Sequence, residues 1–176
     1  MNKFTMEINL KSHLTQCWPW FIYAIGSALL PIYFGINSDV RRVDFSILFA
    51  TSFFILFFVP ELILHIRYSK LNKGFRIVSC RGSDKFTIVG PKSERVINLS
   101  LIEKVVLYLT LPVAWGGLRL LPASSYFYGL IHLRTGESIL ITTLLDSELA
   151  WLVDLAPDIT EVNKRLYCWP ESAHEI

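Results

Sequence analysis

Between Lys11 and Asp39 the chain carries no Asp, Glu, Lys or Arg, and from Phe45 to Pro60 it again carries none. Backbone in such a run, held away from water, must satisfy its own hydrogen bonds, which a helix does within one segment. In the first run, Trp18 to Ile36 is built mostly of Phe, Ile, Leu, Ala, Trp and Tyr. At about 1.5 Å per residue its length is roughly 28 Å, close to the hydrocarbon thickness of a bilayer. Trp18, Trp20 and Tyr23 stand at one end and Tyr33 at the other, where interfacial aromatics are enriched. The second run extends from Phe45 past Glu61 to His65 and Arg67. The short polar link NSDVRRVD, residues 37–44, makes the pair a hairpin with both chain ends on one side.

The division that follows is an N-terminal cytoplasmic segment 1–17, a first span 18–36, a non-cytoplasmic loop 37–44, a second span 45–66 and a domain 71–170. Lys3, Lys11, Arg67, Lys70 and Lys73 flank the two-ended side, whereas Arg41 and Arg42 occupy the link. Cytoplasmic flanks carry the excess of Lys and Arg. The expected location is therefore the plasma (bacterial inner) membrane, with both termini and the domain cytoplasmic. A cleaved signal peptide fits less well, because its basic leader would be long and no small-x-small site follows the apolar run. Cys17, Cys80 and Cys168 have neither metal spacing nor a pairing pattern, which suits a reducing compartment.

Beyond Leu71 the period changes to two. Phe75, Ile77 and Ser79 alternate with Arg76, Val78 and Cys80. Further β-prone runs lie at 86–88, 96–99, 102–111, 118–121, 126–134 and 138–143, punctuated by Gly82, Gly90-Pro91, Gly116-Gly117 and Gly136. Asp146 and Ser147 then offer N-caps, and Leu149, Leu152, Val153 and Ala156 follow at helical spacing until Pro157. Asp158 and Glu161 suggest a capping box for a second short turn ending by Pro170. The expected fold class is α+β: a two-helix transmembrane hairpin followed by a seven-stranded β-barrel or sandwich, with a C-terminal capping helix laying Leu149, Leu152 and Val153 over an open end.

This order resembles the pleckstrin-homology (PH-like) superfold, and with two preceding spans it resembles the bacterial PH-domain membrane proteins. The resemblance rests on SLIEKVVLYL (Ser100–Leu109), GLRLLPASSYFYGLIHLRTGESILI (Gly117–Ile141) and DSELAWLVDLAPDI (Asp146–Ile159). Pro122-Ala123 stands where that family usually has glycine before its small-residue turn. The resemblance implies a membrane-associated interaction role without catalysis, and no cofactor.

Charge is distributed unevenly. Residues 67–95 hold eight Lys or Arg against two acids, a net of +6, and residues 137–176 hold eight acids against two bases, a net of −6. Arg67, Lys70, Lys73 and Arg76 are candidate contacts for lipid headgroups, or else simply orient the domain. Trp115, Leu118 and Arg119 lie in an apolar loop that either touches membrane or a partner protein, or packs on the barrel. Glu61 and His65 stand four apart on one helix face, and Glu61 can snorkel to the interface. No HExxH, GxSxG, CxxC or Gly-rich phosphate loop is present, so no metal or catalytic site is expected. His132 with Ser124-Ser125 lacks an orienting acid. The basic patch lacks interleaved aromatics, which argues against nucleic acid. The expected partners are membrane lipid and a membrane or cytoplasmic protein. Two further readings stay open: an accessory subunit packing through Gly26, Ser27, Ala28 and Gly35, and an enzyme on lipid-linked substrates using Glu61, His65 and Arg67.

Overall fold

The structure, a computed structural model, describes residues 3–37, 40–80, 83–91, 93–117 and 123–170. The chain opens with a strand, β1 (Lys3–Glu7), followed by two long helices, α1 (Leu10–Asn37) and α2 (Val40–Leu71). Then come β2 (Arg76–Cys80), β3 (Lys85–Val89), β4 (Glu94–Asn98) and β5 (Ile102–Thr110). After one helical turn, α3 (Leu111–Ala114), the chain forms β6 (Tyr128–Leu133), β7 (Ser138–Thr142), α4 (Ala150–Leu155) and β8 (Thr160–Arg165). The fold is α+β with two four-stranded sheets, ordered β1-β2-β3-β4 and β7-β6-β5-β8.

The helices run antiparallel. His13 meets His65, Trp20 packs edge-on against Phe58 at 5.2 Å, and Tyr23 stacks on Phe57 at 6.4 Å. Phe side chains four apart on α2 meet along its length, Phe54 stacking on Phe58 and Phe53 packing at a tilt against Phe57. The expected spans lie inside longer helices. Asn9 caps α1, its Oδ1 accepting from the Ser12 amide at 3.0 Å while Ser12 Oγ accepts from the Asn9 amide at 2.8 Å. Among the described residues, Asp44–Leu71 is the one segment long and apolar enough to cross a membrane, with mean hydropathy 2.3. Isoleucines and leucines around both helices are exposed, among them Ile25, Leu29, Ile55 and Leu56.

The hairpin does not precede the domain; it is inserted into it. β1 pairs antiparallel with β2, Lys3 opposite Cys80 and Glu7 opposite Arg76, so strands on either side of the helices share one sheet. Glu7 and Arg76 also form an ion pair at 2.8 Å. The lower end of α2 belongs to the domain core, with Leu64 and Tyr68 fully buried beside Ile77, Phe86, Ile131 and Ile141. The alternation read in β2 holds, Ile77 and Ser79 pointing inward.

Three expectations are corrected. The seven-strand count becomes eight among the described residues, and the run at 118–121 lies outside them. KFTME alternates polar and apolar residues but is only five residues long, whereas TEVNKR has no such alternation and is mostly exposed, with Val162 on the surface. What holds them is main-chain pairing, β1 to β2 and β8 parallel to β5. The helix expected from Asp146 starts only at Ala150, because the Asp146 carboxylate and carbonyl accept from the amides of Glu148 and Leu149 and close a turn first. Leu149 then sits in the left-handed region at φ +52°, ahead of α4. Leu149 and Leu152 are buried as expected, but Val153 is exposed, since six helical residues present only one narrow face. The short turn expected after Pro157 is present as a 3₁₀ turn, Pro157–Ile159, and β8 follows it.

Two close approaches fix α4. Trp151 packs edge-on against Phe86 of the opposite sheet at 5.1 Å. Below the helix, a Cβ on Gly129 would lie 2.5 Å from Leu152 Cδ1 and 3.2 Å from Leu107 Cδ2, so only glycine lets α4 seat against β6. At the turn before β6, Ala123 adopts φ +61°, the backbone conformation glycine favours.

Gly129→Ala is expected to lower stability by about 1–3 kcal/mol, the usual cost of overfilling a packed core, measured by chemical unfolding of the full chain in detergent. Burial raises the Asp146 pKa, and its Oδ2 has no hydrogen-bond partner. Folded chain therefore holds this proton more tightly than unfolded chain, so ionisation costs stability as pH rises through the ordinary carboxyl range. Asp146→Asn should be as stable as the parent or more so at neutral pH. The difference should vanish in acid, and a variant weaker than its parent at neutral pH would contradict this account.

Candidate functional site at the base of the hairpin

The base of the hairpin is joined to the domain by polar groups that are largely buried. Asn72 follows the last turn of α2 and docks on β7, its Nδ2 donating to the Leu140 carbonyl at 3.1 Å and its Oδ1 accepting from the Thr142 amide at 3.0 Å. From α1, Gln16 Nε2 donates to the Ser125 carbonyl and to Thr143 Oγ1. Tyr126 Oη, from the domain, lies 2.9 Å from His65 Nδ1, and His65 Nε2 lies 3.0 Å from His13 Nδ1. Burial holds the Tyr126 phenol well above its ordinary range, so it keeps its proton and can donate to His65. The chain is then satisfied when His65 carries its proton on Nε2 and donates to His13. Cys17 Sγ approaches the same imidazole at 3.5 Å, and Trp20 packs edge-on against it at 5.2 Å.

Beside this junction lies a groove of about 400 Å³ lined by Ile8, His13, His65, Ile66, Ser69, Lys70, Lys73 and Gly74. Its wall is shaped by the turn that ends α2. Gly74 takes φ +77°, and a Cβ there would stand 2.9 Å from Pro91 Cγ. Lys70 and Lys73 are exposed, and neither has an ion-pair partner among the described residues. Two unpaired ammonium groups beside two imidazoles and two isoleucines present positive charge next to an apolar floor. That combination suits an anion attached to a hydrocarbon.

The structure separates the four basic candidates. Lys70 and Lys73 share the groove. Arg67 instead donates to the Pro170 carbonyl at 2.7 Å and covers the Trp169 ring at 4.8 Å, and Arg76 is bound to Glu7. Trp115 is 71% exposed, so it does not pack on the barrel; Leu118 and Arg119 lie outside the described residues. Glu61 does not snorkel. It is 1% exposed, faces Trp20 and the Ala123 backbone, and its Oε1 has no partner. His65 is turned into the junction, and His132 is paired with Ser138 Oγ at 2.8 Å rather than with Ser124 or Ser125. No group of three His, Cys, Asp or Glu able to hold a metal occurs among the described residues. His13, Gln16, Asn72 and Tyr126 carried no sequence signal beyond being polar residues near an apolar run.

A family model described as PH domain matches residues 4–150, from β1 through both helices to the start of α4. The chain belongs to the PH domain family. No curated protein and no solved structure matches it. PH domains are in general non-catalytic binding modules for lipids or proteins.

Asn72→Ala leaves a buried amide and a buried carbonyl on β7 without partners. It should destabilise the chain by about 2 kcal/mol or more. Amide hydrogen exchange should rise along 138–142 before it rises in β2 to β4, and uniform loosening would contradict the assigned role.

Proposed function

We propose that this chain is a membrane-anchored, non-enzymatic PH-like module whose groove at the hairpin base binds anionic lipid headgroups at the cytoplasmic face of the plasma membrane. The observation carrying this reading is the pair of unpaired lysines, Lys70 and Lys73, on a half-apolar groove directly below the apolar length of α2. Both helices have exposed apolar surfaces, and the hairpin returns to its starting side, as a re-emerging anchor must. A lysine close to an anionic leaflet contributes about 1 kcal/mol.

The test is lipid mass spectrometry on the full chain purified from membranes in mild detergent. Anionic lipid should be enriched over the bulk membrane. Replacing Lys70 and Lys73 by Gln should weaken that association by about 2 kcal/mol, roughly thirtyfold, with the yield of folded protein unchanged. Parent protein carrying lipid at bulk composition would overturn the lipid reading. A stoichiometric protein companion in the same sample would instead favour an accessory subunit. A reporter fused after Ile176 should be active in the cytoplasm, and activity only on the far side would reverse the orientation.

A further inference from the structure

β5 and β8 run parallel and end together, Thr110 opposite Arg165. Beyond both ends the chain presents large apolar side chains to the outside: Trp115 after β5, and Leu166, Tyr167 and Trp169 after β8. Their exposures run from 43% for Trp169 to 71% for Trp115 and Leu166. Fraying does not explain the second group, because its backbone is fixed. Between Tyr167 and Trp169, Cys168 is fully buried, its thiol donating to the Tyr108 carbonyl at 3.0 Å and its carbonyl accepting from Tyr68 at 2.6 Å. Arg67 holds the Pro170 carbonyl from α2. The segment is pinned, with Leu166, Tyr167 and Trp169 outward and Cys168 and Pro170 inward.

Its position is defined by the same contacts. Trp169 lies under Arg67, next in sequence to exposed Ile66 on α2. Arg67 thus joins this C-terminal strap to the lower end of α2. Lys164 is exposed at its start, and Arg165 covers the Tyr108 ring at 4.5 Å. Tryptophan and tyrosine mixed with basic side chains, at the depth where an apolar helix ends, is the composition of a bilayer headgroup zone.

We propose that Trp115, Leu166, Tyr167 and Trp169 form an interfacial foot that seats the domain in the headgroup layer of an anionic bilayer. This rests on the membrane reading above and assigns it a second contact, separate from the lysine groove. The foot limits how the domain stands on its anchor, since it lies on the sheet that Asn72 and Tyr68 clamp to α2.

Depth-dependent quenching tests it. The full chain is reconstituted in phosphatidylcholine–phosphatidylglycerol nanodiscs whose acyl chains are brominated near the carbonyl end. Each of Trp18, Trp115, Trp151 and Trp169 is left in turn as the sole tryptophan, the others becoming Phe. Trp115 and Trp169 should lose most of their emission, as Trp18 in the first helix does, whereas Trp151 against Phe86 should lose little. Because some multiple variants will fold poorly, Trp115→Phe and Trp169→Phe are also made singly. Each should reduce the bromine-quenchable share of the parent's emission. Quenching of Trp18 without Trp115 and Trp169 overturns the foot and leaves the anchor standing. Absence of quenching at Trp18 as well overturns the membrane reading and the foot together. Trp115 and Trp169 unquenched by bromine yet shielded from aqueous iodide would show that protein covers them, which also overturns the proposal.

Discussion

The lower third of α2 serves two structures at once. Leu64 and Tyr68 are buried in the core between the sheets, while the residues above them present exposed apolar side chains. A stretch of helix so placed cannot rotate or slide without emptying the domain core, since close-packed interiors tolerate little change of volume. The position of the groove, the direction of the strap and the pairing of β1 with β2 all follow from that one shared segment.

Polar contacts refine what packing begins. Asn72, Gln16 and Tyr126 each bridge hairpin to domain, and each would leave a buried polar group unpartnered if the two parted. Such bonds add little net energy but are costly to leave unmade, so they favour one arrangement over nearby alternatives. Lys70 and Lys73 stand outside this system, with no ion-pair partner among the described residues.

Much of the architecture was legible in the sequence because it was written in periodicity. The charge-free runs become α1 and α2, the alternation at 75–80 becomes β2, and Leu149 with Leu152 closes the core. What stayed hidden was set by tertiary pairing. TEVNKR becomes a strand only because β5 offers an open edge, and KFTME, although it alternates, is five residues long and finds its partner β2 beyond both helices. The site was half legible: Lys70 and Lys73 could be read as basic residues leaving a helix, but nothing local told them from Arg67 and Arg76, whose partners are about a hundred and about seventy positions away. Glu61 was misplaced for the same reason, since its cover comes from Trp20 and Ala123 on other elements.

The placement of β1 has a consequence for assembly. β1 must wait for both helices to be made before β2 exists to receive it, so the sheet closes over a long loop and late in folding. If the helices cross a bilayer, the strand can find its partner only when the number of crossings is even. A chain with one helix inserted would strand KFTME on the wrong side and leave the β2 edge bare. Such an edge is a ready template for misassociation or degradation. In a bilayer the sheet would then complete itself only around correctly threaded helices, and the fold would carry its own check on insertion.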